Sequence, residues 1–170
     1  MGIYSYELYQ FYEVENIIRI GTCGSYQEDI KVLDIVLTEN SYSKSTYAKI
    51  LDANNEEILP ASAILNKKVE VAASQNNIML HKGNVLCSDV FYSQNTKWEE
   101  KDKHRCIVTE MESFALFANA KHLHKNAACI LTVSNMMPPL NYIEELTSDQ
   151  REKSLNEMIK LGLETLTNYV

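Results

Sequence analysis

The chain has 170 residues, a hydrophobic fraction of 45% and a formal charge of -7, which is enough for one compact domain with a sizeable core, so a single domain over 1–170 is expected. The acidic balance, with a pI of about 5.1, excludes an extended basic surface for nucleic acid or anionic lipid, although backbone N–H groups and one arginine suffice to hold a small anion. No apolar run approaches the ~20 residues needed to cross a bilayer, and the opening MGIYSYEL has neither a basic n-region nor an apolar h-region, so a cytoplasmic protein is expected.

Tyr4, Leu8, Phe11 and Tyr12 recur at helical spacing and predict an amphipathic first helix with no capping residue before it. Asn16 to Ile20 reads as a buried strand that enters a tight glycine turn at Gly21-Thr22-Cys23-Gly24. Val32 to Leu37 supplies a second strand. The polar stretch from Thr38 to Glu57 has no clear periodicity and predicts a long excursion. Ala61 to Ser74 is rich in helix formers after Pro60, and Asn77 to Leu86 returns to an extended pattern.

Cys106 to Val108 predicts a short strand running into Glu110-Met111-Glu112, followed by a helix over Phe114 to His122. Ala127 to Val133 is a nearly continuous apolar run of the kind found in buried strands. After Pro138-Pro139, Thr147 and Gln150 form a capping box for a final helix whose apolar face would carry Leu155, Met158, Ile159 and Leu166. Strands alternate with helices over most of the chain, which favours an α/β sheet covered on both faces. Cys23, Cys87, Cys106 and Cys129 form no C-x-x-C pair, so reduced, mostly buried thiols are expected rather than a zinc site or a redox dithiol. His122 and His124 beside Lys121 read as a solvated helix end, because no acidic or thiol partner sits at ligand spacing.

Three of the predicted strands end in polar or glycine clusters: Arg19 to Gly24, Glu110 to Glu112, and Ser134-Asn135. Ligand sites in α/β sheets gather outside the carboxyl ends of strands, so the three clusters are expected to share one crevice. Taken in order, R-I-G-T-C-G, G-N-V-L-C-S-D-V-F-Y, E-M-E-S and L-T-V-S-N resemble the hexameric bacterial purine-nucleoside phosphorylase family from Tyr4 to the terminal helix. The resemblance implies a three-layer α/β sandwich, a central mixed sheet flanked by helices of the phosphorylase/hydrolase kind, truncated at the N-terminus. It also implies reversible phosphorolysis of purine (deoxy)ribonucleosides through an oxocarbenium-like transition state, with orthophosphate as co-substrate and no cofactor or metal.

The resemblance further assigns roles. Arg19, Thr22 and backbone N–H groups near Gly21 would hold orthophosphate. Glu112 would take both ribose hydroxyls, with Met111 packing on the sugar and Glu110 nearby. Phe91 would stack on the purine, with Ser134 beside the base. Where most of the family has an aspartate after T-V-S that protonates purine N7, this chain has Asn135, which can donate a hydrogen bond but not a proton. Arg151 aligns with the arginine that partners that aspartate.

The family pattern also extends upstream of Met1. What would lie there includes the first strands, a second phosphate-binding arginine, and a histidine and an arginine lent by a neighbouring subunit. Unpaired sheet edges are therefore expected. A homohexamer arranged as a trimer of dimers is what the resemblance implies, altered if the truncation changes the assembly. Two other readings stay open at this point. One is a uridine phosphorylase or a nucleosidase of the same superfamily, against which Arg19 with Thr22 and the D-V-F-Y segment argue. The other is a catalytically weak or silent nucleoside-binding relative.

Overall fold

The computed structural model describes residues 1–92, 104–137, 146–150 and 155–167. In chain order the elements are α1 (Gly2–Phe11), β1 (Asn16–Ser25), β2 (Ile35–Tyr42), α2 (Tyr47–Asp52), β3 (Ile58–Pro60) and α3 (Ala63–Gln75). There follow β4 (Leu80–Cys87), β5 (Cys106–Glu110), α4 (Ser113–His122), β6 (Asn126–Met136) and α5 (Asn156–Thr167).

The strands form one mixed sheet in the order β3-β2-β4-β5-β1-β6, and a further pairing of β2 with β6 joins its two sides into a ring. β1 runs parallel to β6 from Asn16 to Ser25, β2 parallel to β4, and β4 parallel to β5. The closing contacts are short and antiparallel: Gly24 and Ser25 with β5, and Ile35 to Leu37 with β6.

Two apolar layers hold helices on this sheet. In one, Tyr9 of α1, Ala48 of α2 and Phe114, Leu116 and Phe117 of α4 pack with Val36, Val85, Val108, Cys129 and Leu131 of the strands. In the other, Val69 and Ala72 of α3 and Met158 and Leu161 of α5 cover Ile35, Leu37 and Ile130. Burying side chains such as Met158 and Leu161 stabilises the fold by about 1.5–3 kcal/mol each. β6 lies between the layers and is buried from Ala127 to Ser134, which accounts for its unbroken apolar run. The sandwich with a central mixed sheet is therefore the observed architecture.

The structure corrects several local expectations. First, Gly21 to Gly24 is no turn: β1 continues through it to Ser25, none of the glycines has a positive φ, and the only irregularity is a bulge between Cys23 and Gly24. The glycines answer a packing demand instead. A Cβ on Gly21 would lie 2.7 Å from Arg19 Nη1, and one on Gly24 would lie 2.7 Å from Met137 Sδ.

Second, Thr38 to Glu57 is no open excursion. β2 extends to Tyr42 and α2 follows, because Thr38 and Ser41 turn their hydroxyls into the interior, where Ser41 Oγ meets Ser113 Oγ at 2.7 Å. Polar residues without an outward-facing pattern gave this strand no visible period. Third, the buried face of α5 is Met158, Leu161, Gly162 and Thr165, while Ile159 and Leu166 are exposed. Gly162 is there because β1 approaches closely: a Cβ would meet Ile20 Cγ2 at 3.1 Å.

The apolar face expected of α1 is likewise not the buried one: Tyr4, Leu8, Phe11 and Tyr12 are exposed, and Ser5 and Tyr9 face the interior, where Tyr9 Oη donates to the Asn126 carbonyl. Ser62 caps α3 by accepting from the Leu65 N–H, a cap not read from the sequence. The Thr147 N–H donates to Gln150 Oε1 at 2.9 Å, and the Gln150 N–H donates to Thr147 Oγ1 at 3.3 Å, as the capping box requires. All four cysteines are free and buried. No helix among the described residues is long and apolar enough to cross a membrane.

Candidate functional site

The parallel register of β1 with β6 sets Arg19 opposite Cys129, and the absence of a side chain at Gly21 lets the guanidinium fold back along the strand. There it meets two carboxylates. Arg19 Nη2 is paired with Glu112 Oε2, and Nη1 lies 3.5 Å from Glu110 Oε2 and 3.5 Å from Cys129 Sγ. Burial disfavours the guanidinium charge, but the Glu110 and Glu112 carboxylates and the hydrogen bond to Cys129 Sγ outweigh it and hold the pKa above its ordinary value. The Cys129 thiol itself is pushed up to about 12, chiefly by burial, so it sits beside Arg19 as a neutral group.

The two glutamates share a strand end but differ in surroundings. Glu110 closes β5 with a side chain only 1% exposed. Its carboxylate accepts from the N–H groups of Glu112 and Ser113, both at 2.9 Å, and from Ser113 Oγ at 2.5 Å. These donors form the first turn of α4, whose positive end favours an anion there. Glu110 is thus a satisfied internal anion that orders the turn carrying Glu112. Glu112 occupies the N-cap position of α4 without capping the helix. Its carboxylate, 40% exposed, is committed to Arg19.

Of the residues singled out in the sequence, Arg19, Gly21, Glu110 and Glu112 come together directly. Met111, 39% exposed, adjoins them in the chain. Thr22 follows Gly21 on β1, half-buried and in register with Thr132. Ser134 and Asn135 stand further along. Ser134 Oγ donates to the Cys23 carbonyl at 3.3 Å and to Asn135 Oδ1 at 3.0 Å, and Asn135 Nδ2 lies 3.3 Å from Met137 Sδ. Asn135 is in register with Gly24, five residues beyond Arg19 and so about 16 Å along the strand. The folded-back guanidinium shortens that gap, and a thioether is so weak an acceptor that the amide N–H is readily released.

Phe91 is 74% exposed and packs edge-on against Tyr92 at 4.9 Å between ring centres, so it is no core residue. Arg151 lies outside the described residues. Sequence reasoning passed over Ser41, Ser113 and Cys129, which complete the polar interior around Glu110 and Arg19. Only the strand register could have found them, since Ser41 is 72 residues from Ser113, and Cys129 is 110 from Arg19. A cavity of about 480 Å³ lies elsewhere, lined by Gln27, Asp29, His81, Lys82 and Arg105 among others, and contains none of the singled-out residues.

One cation faces two carboxylates, so an anion that takes Arg19 competes with Glu112 for it. A dianion would take the guanidinium, and a vicinal diol would take the freed carboxylate.

Residues 3–168 match the model of the phosphorylase superfamily. A DeoD-type purine nucleoside phosphorylase of Mycoplasma genitalium is 40% identical over 96% of this chain and 69% of its own length. Its counterpart in Mycoplasma pneumoniae is 36% identical over 100% of this chain and 71% of its own length. Among solved structures, the P. knowlesi homologue of P. falciparum PNP superposes with a TM-score of 0.80 at 24% identity, over 96% of this chain and 65% of that one. A Helicobacter pylori futalosine hydrolase mutant gives 0.79 at 15% identity over 98% and 74%. These two likenesses concern the fold alone. By the family match and the identities over nearly its whole length, the chain belongs to the phosphorylase superfamily and, within it, to the DeoD-type purine nucleoside phosphorylases.

Proposed function

We propose that this chain catalyses phosphorolysis of purine ribo- and deoxyribonucleosides, giving the free purine and the pentose 1-phosphate. The observation that carries the reading is the meeting of Arg19 with Glu112, an anion-binding group and a diol-binding group at one strand end. Orthophosphate displaces Glu112 from Arg19 and is held there with the Thr22 hydroxyl and nearby backbone N–H groups. Glu112 then takes the ribose hydroxyls, and Met111 packs on the sugar. As the bond from C1′ to the purine nitrogen breaks, its electron pair leaves with the base and the sugar gains cationic character. The phosphate oxygen then bonds to C1′. The carboxylate and the phosphate stabilise that charge from fixed positions, and Glu110 keeps the Glu112 turn in place.

Phe91 is free to stack on the base, and the Ser134-Asn135 pair addresses its imidazole edge. Asn135 Nδ2 donates to N7 and Ser134 orients the amide; Arg151 is assigned to support it. Because an amide donates without transferring a proton, 6-oxopurine nucleosides such as inosine are the preferred substrates and adenosine a poor one. Release of hypoxanthine from inosine that requires orthophosphate is the expected result in a steady-state assay. Release without phosphate would replace the reading with hydrolysis, and nucleoside binding without turnover would replace it with a silent binding protein.

Gly21 supplies a second check. Gly21→Ala puts a methyl group 2.7 Å from Arg19 Nη1 and 2.8 Å from Cζ, so the guanidinium must swing out while the backbone stays. A charge-assisted hydrogen bond is worth ~1.5–3 kcal/mol, so the KM for orthophosphate is expected to rise about tenfold or more with little change in melting temperature. An unchanged phosphate KM would remove Arg19 from the phosphate site.

A further inference from the structure

Charge alone does not account for the gap between Arg19 and Glu110. Nη1 stands 3.5 Å from Glu110 Oε2, whereas a charge-assisted N–H···O bond closes to about 2.7–2.9 Å. Both side chains are nearly buried, where opposite charges attract most strongly. Something therefore holds the carboxylate back.

The restraint lies on its other side. Ser113 Oγ donates to Glu110 Oε1 at 2.5 Å, and the Ser113 N–H reaches Oε1 at 3.2 Å and Oε2 at 2.9 Å. A serine hydroxyl has one proton, and a carboxylate can only accept. Ser113 therefore spends its proton on Glu110, and the 2.7 Å contact with Ser41 Oγ uses the proton of Ser41. The direction of the chain is fixed: Ser41 donates to Ser113, and Ser113 to Glu110.

A bulge in β2 brings Ser41 there. The register of β2 with β4 runs from Ile35 to Thr38, skips Glu39 and resumes at Asn40. Unbroken alternation would put Ser41 on the side of Ile35 and Leu37, against α3 and α5. The bulge moves it to the other side, in register with Val85, where Val36, Val85 and α4 pack. Cys87, in register with Glu110, also borders the carboxylate. Its thiol is raised by burial first and then by the Glu110 charge, and a neutral thiol is too weak a donor to replace a hydroxyl.

We propose that Ser113, oriented by Ser41, is a positioning residue: its hydroxyl anchors Glu110 on the first turn of α4 and keeps it from closing on Arg19. The guanidinium is then left to Glu112 and, in turnover, to orthophosphate. Glu110 contributes its charge without occupying the donors that phosphate needs. The anchor is a property of the ligand-free protein, whereas its effect on phosphate rests on the function proposed above.

The test compares the unaltered chain with Ser113→Ala and Ser41→Ala. In ligand-free crystals of Ser113→Ala the distance from Arg19 to Glu110 is expected to shorten to about 2.8 Å. By calorimetry its orthophosphate Kd is expected to rise about fivefold or more, with the inosine Kd little changed. Ser41→Ala leaves the Ser113 proton in place and is expected to shift both quantities in the same sense by less; it carries the test alone if Ser113→Ala does not fold. A gap that stays open in the variants overturns the proposal, and so does equal weakening of phosphate and inosine, which is what a merely structural role would give. A gap that closes while phosphate affinity is unchanged upholds the anchor and removes Arg19 from the phosphate site, so the two readings fail separately.

Discussion

Glu112→Gln is expected to lower kcat/KM for inosine by about 10²–10³-fold, the loss typical when one pre-placed group that stabilises developing charge is removed, and at the same time to tighten orthophosphate binding. The two effects have opposite signs for one reason. In the ligand-free protein Glu112 competes with phosphate for Arg19, and the carboxylate that must be displaced is 40% exposed. An ion pair that exposed is worth ~0.2–1 kcal/mol, so removing it is expected to lower the phosphate Kd by up to roughly fivefold. Calorimetric titration with orthophosphate, set beside steady-state rates, checks both. A variant that binds phosphate more weakly, or that keeps its turnover, removes Glu112 from the sugar site.

Asn135→Asp is expected to raise adenosine cleavage by about 10²–10⁴-fold, the range contributed by a positioned general acid, and to change inosine cleavage far less. An aspartic acid can deliver the proton that purine N7 needs when the leaving group is adenine, whereas the amide present here only donates a hydrogen bond. The existing contacts favour the substitution: Ser134 Oγ donates to Asn135 Oδ1 and can donate to a carboxylate oxygen in the same place. Steady-state rates for both nucleosides, in the protein and in the variant, decide the matter. Equal cleavage of adenosine and inosine by the unaltered chain, or no gain on adenosine in the variant, would end the assignment of Asn135 to the leaving group.

The two polar clusters that meet, within β1 and at the end of β5, were separately legible because a polar or glycine run interrupts an apolar one in each, although the first lies inside its strand and not at its end. What they meant together was not. Arg19, Glu110 and Glu112 are in contact, whereas the register places Asn135 beside Gly24 and beyond that ion pair. The glycines of β1 misled for a physical reason. Glycine signals a turn by its freedom at positive φ, but here its missing side chain is what matters, since it makes room for a guanidinium folded along the strand.

Local pattern by itself determined the alternation of strands and helices outside Thr38 to Pro60, the apolar core strand from Ala127 to Val133, the capping box of the segment before α5, and the burial of the four thiols. Each of these depends on neighbours in the chain, where periodicity and capping chemistry act. Only the tertiary structure decided that the sheet closes through β2 and β6, and that Ser41 and Cys129 complete the polar interior. Those outcomes depend on strand register. Register is set by packing between residues a hundred positions apart, and no single stretch of the sequence carries it.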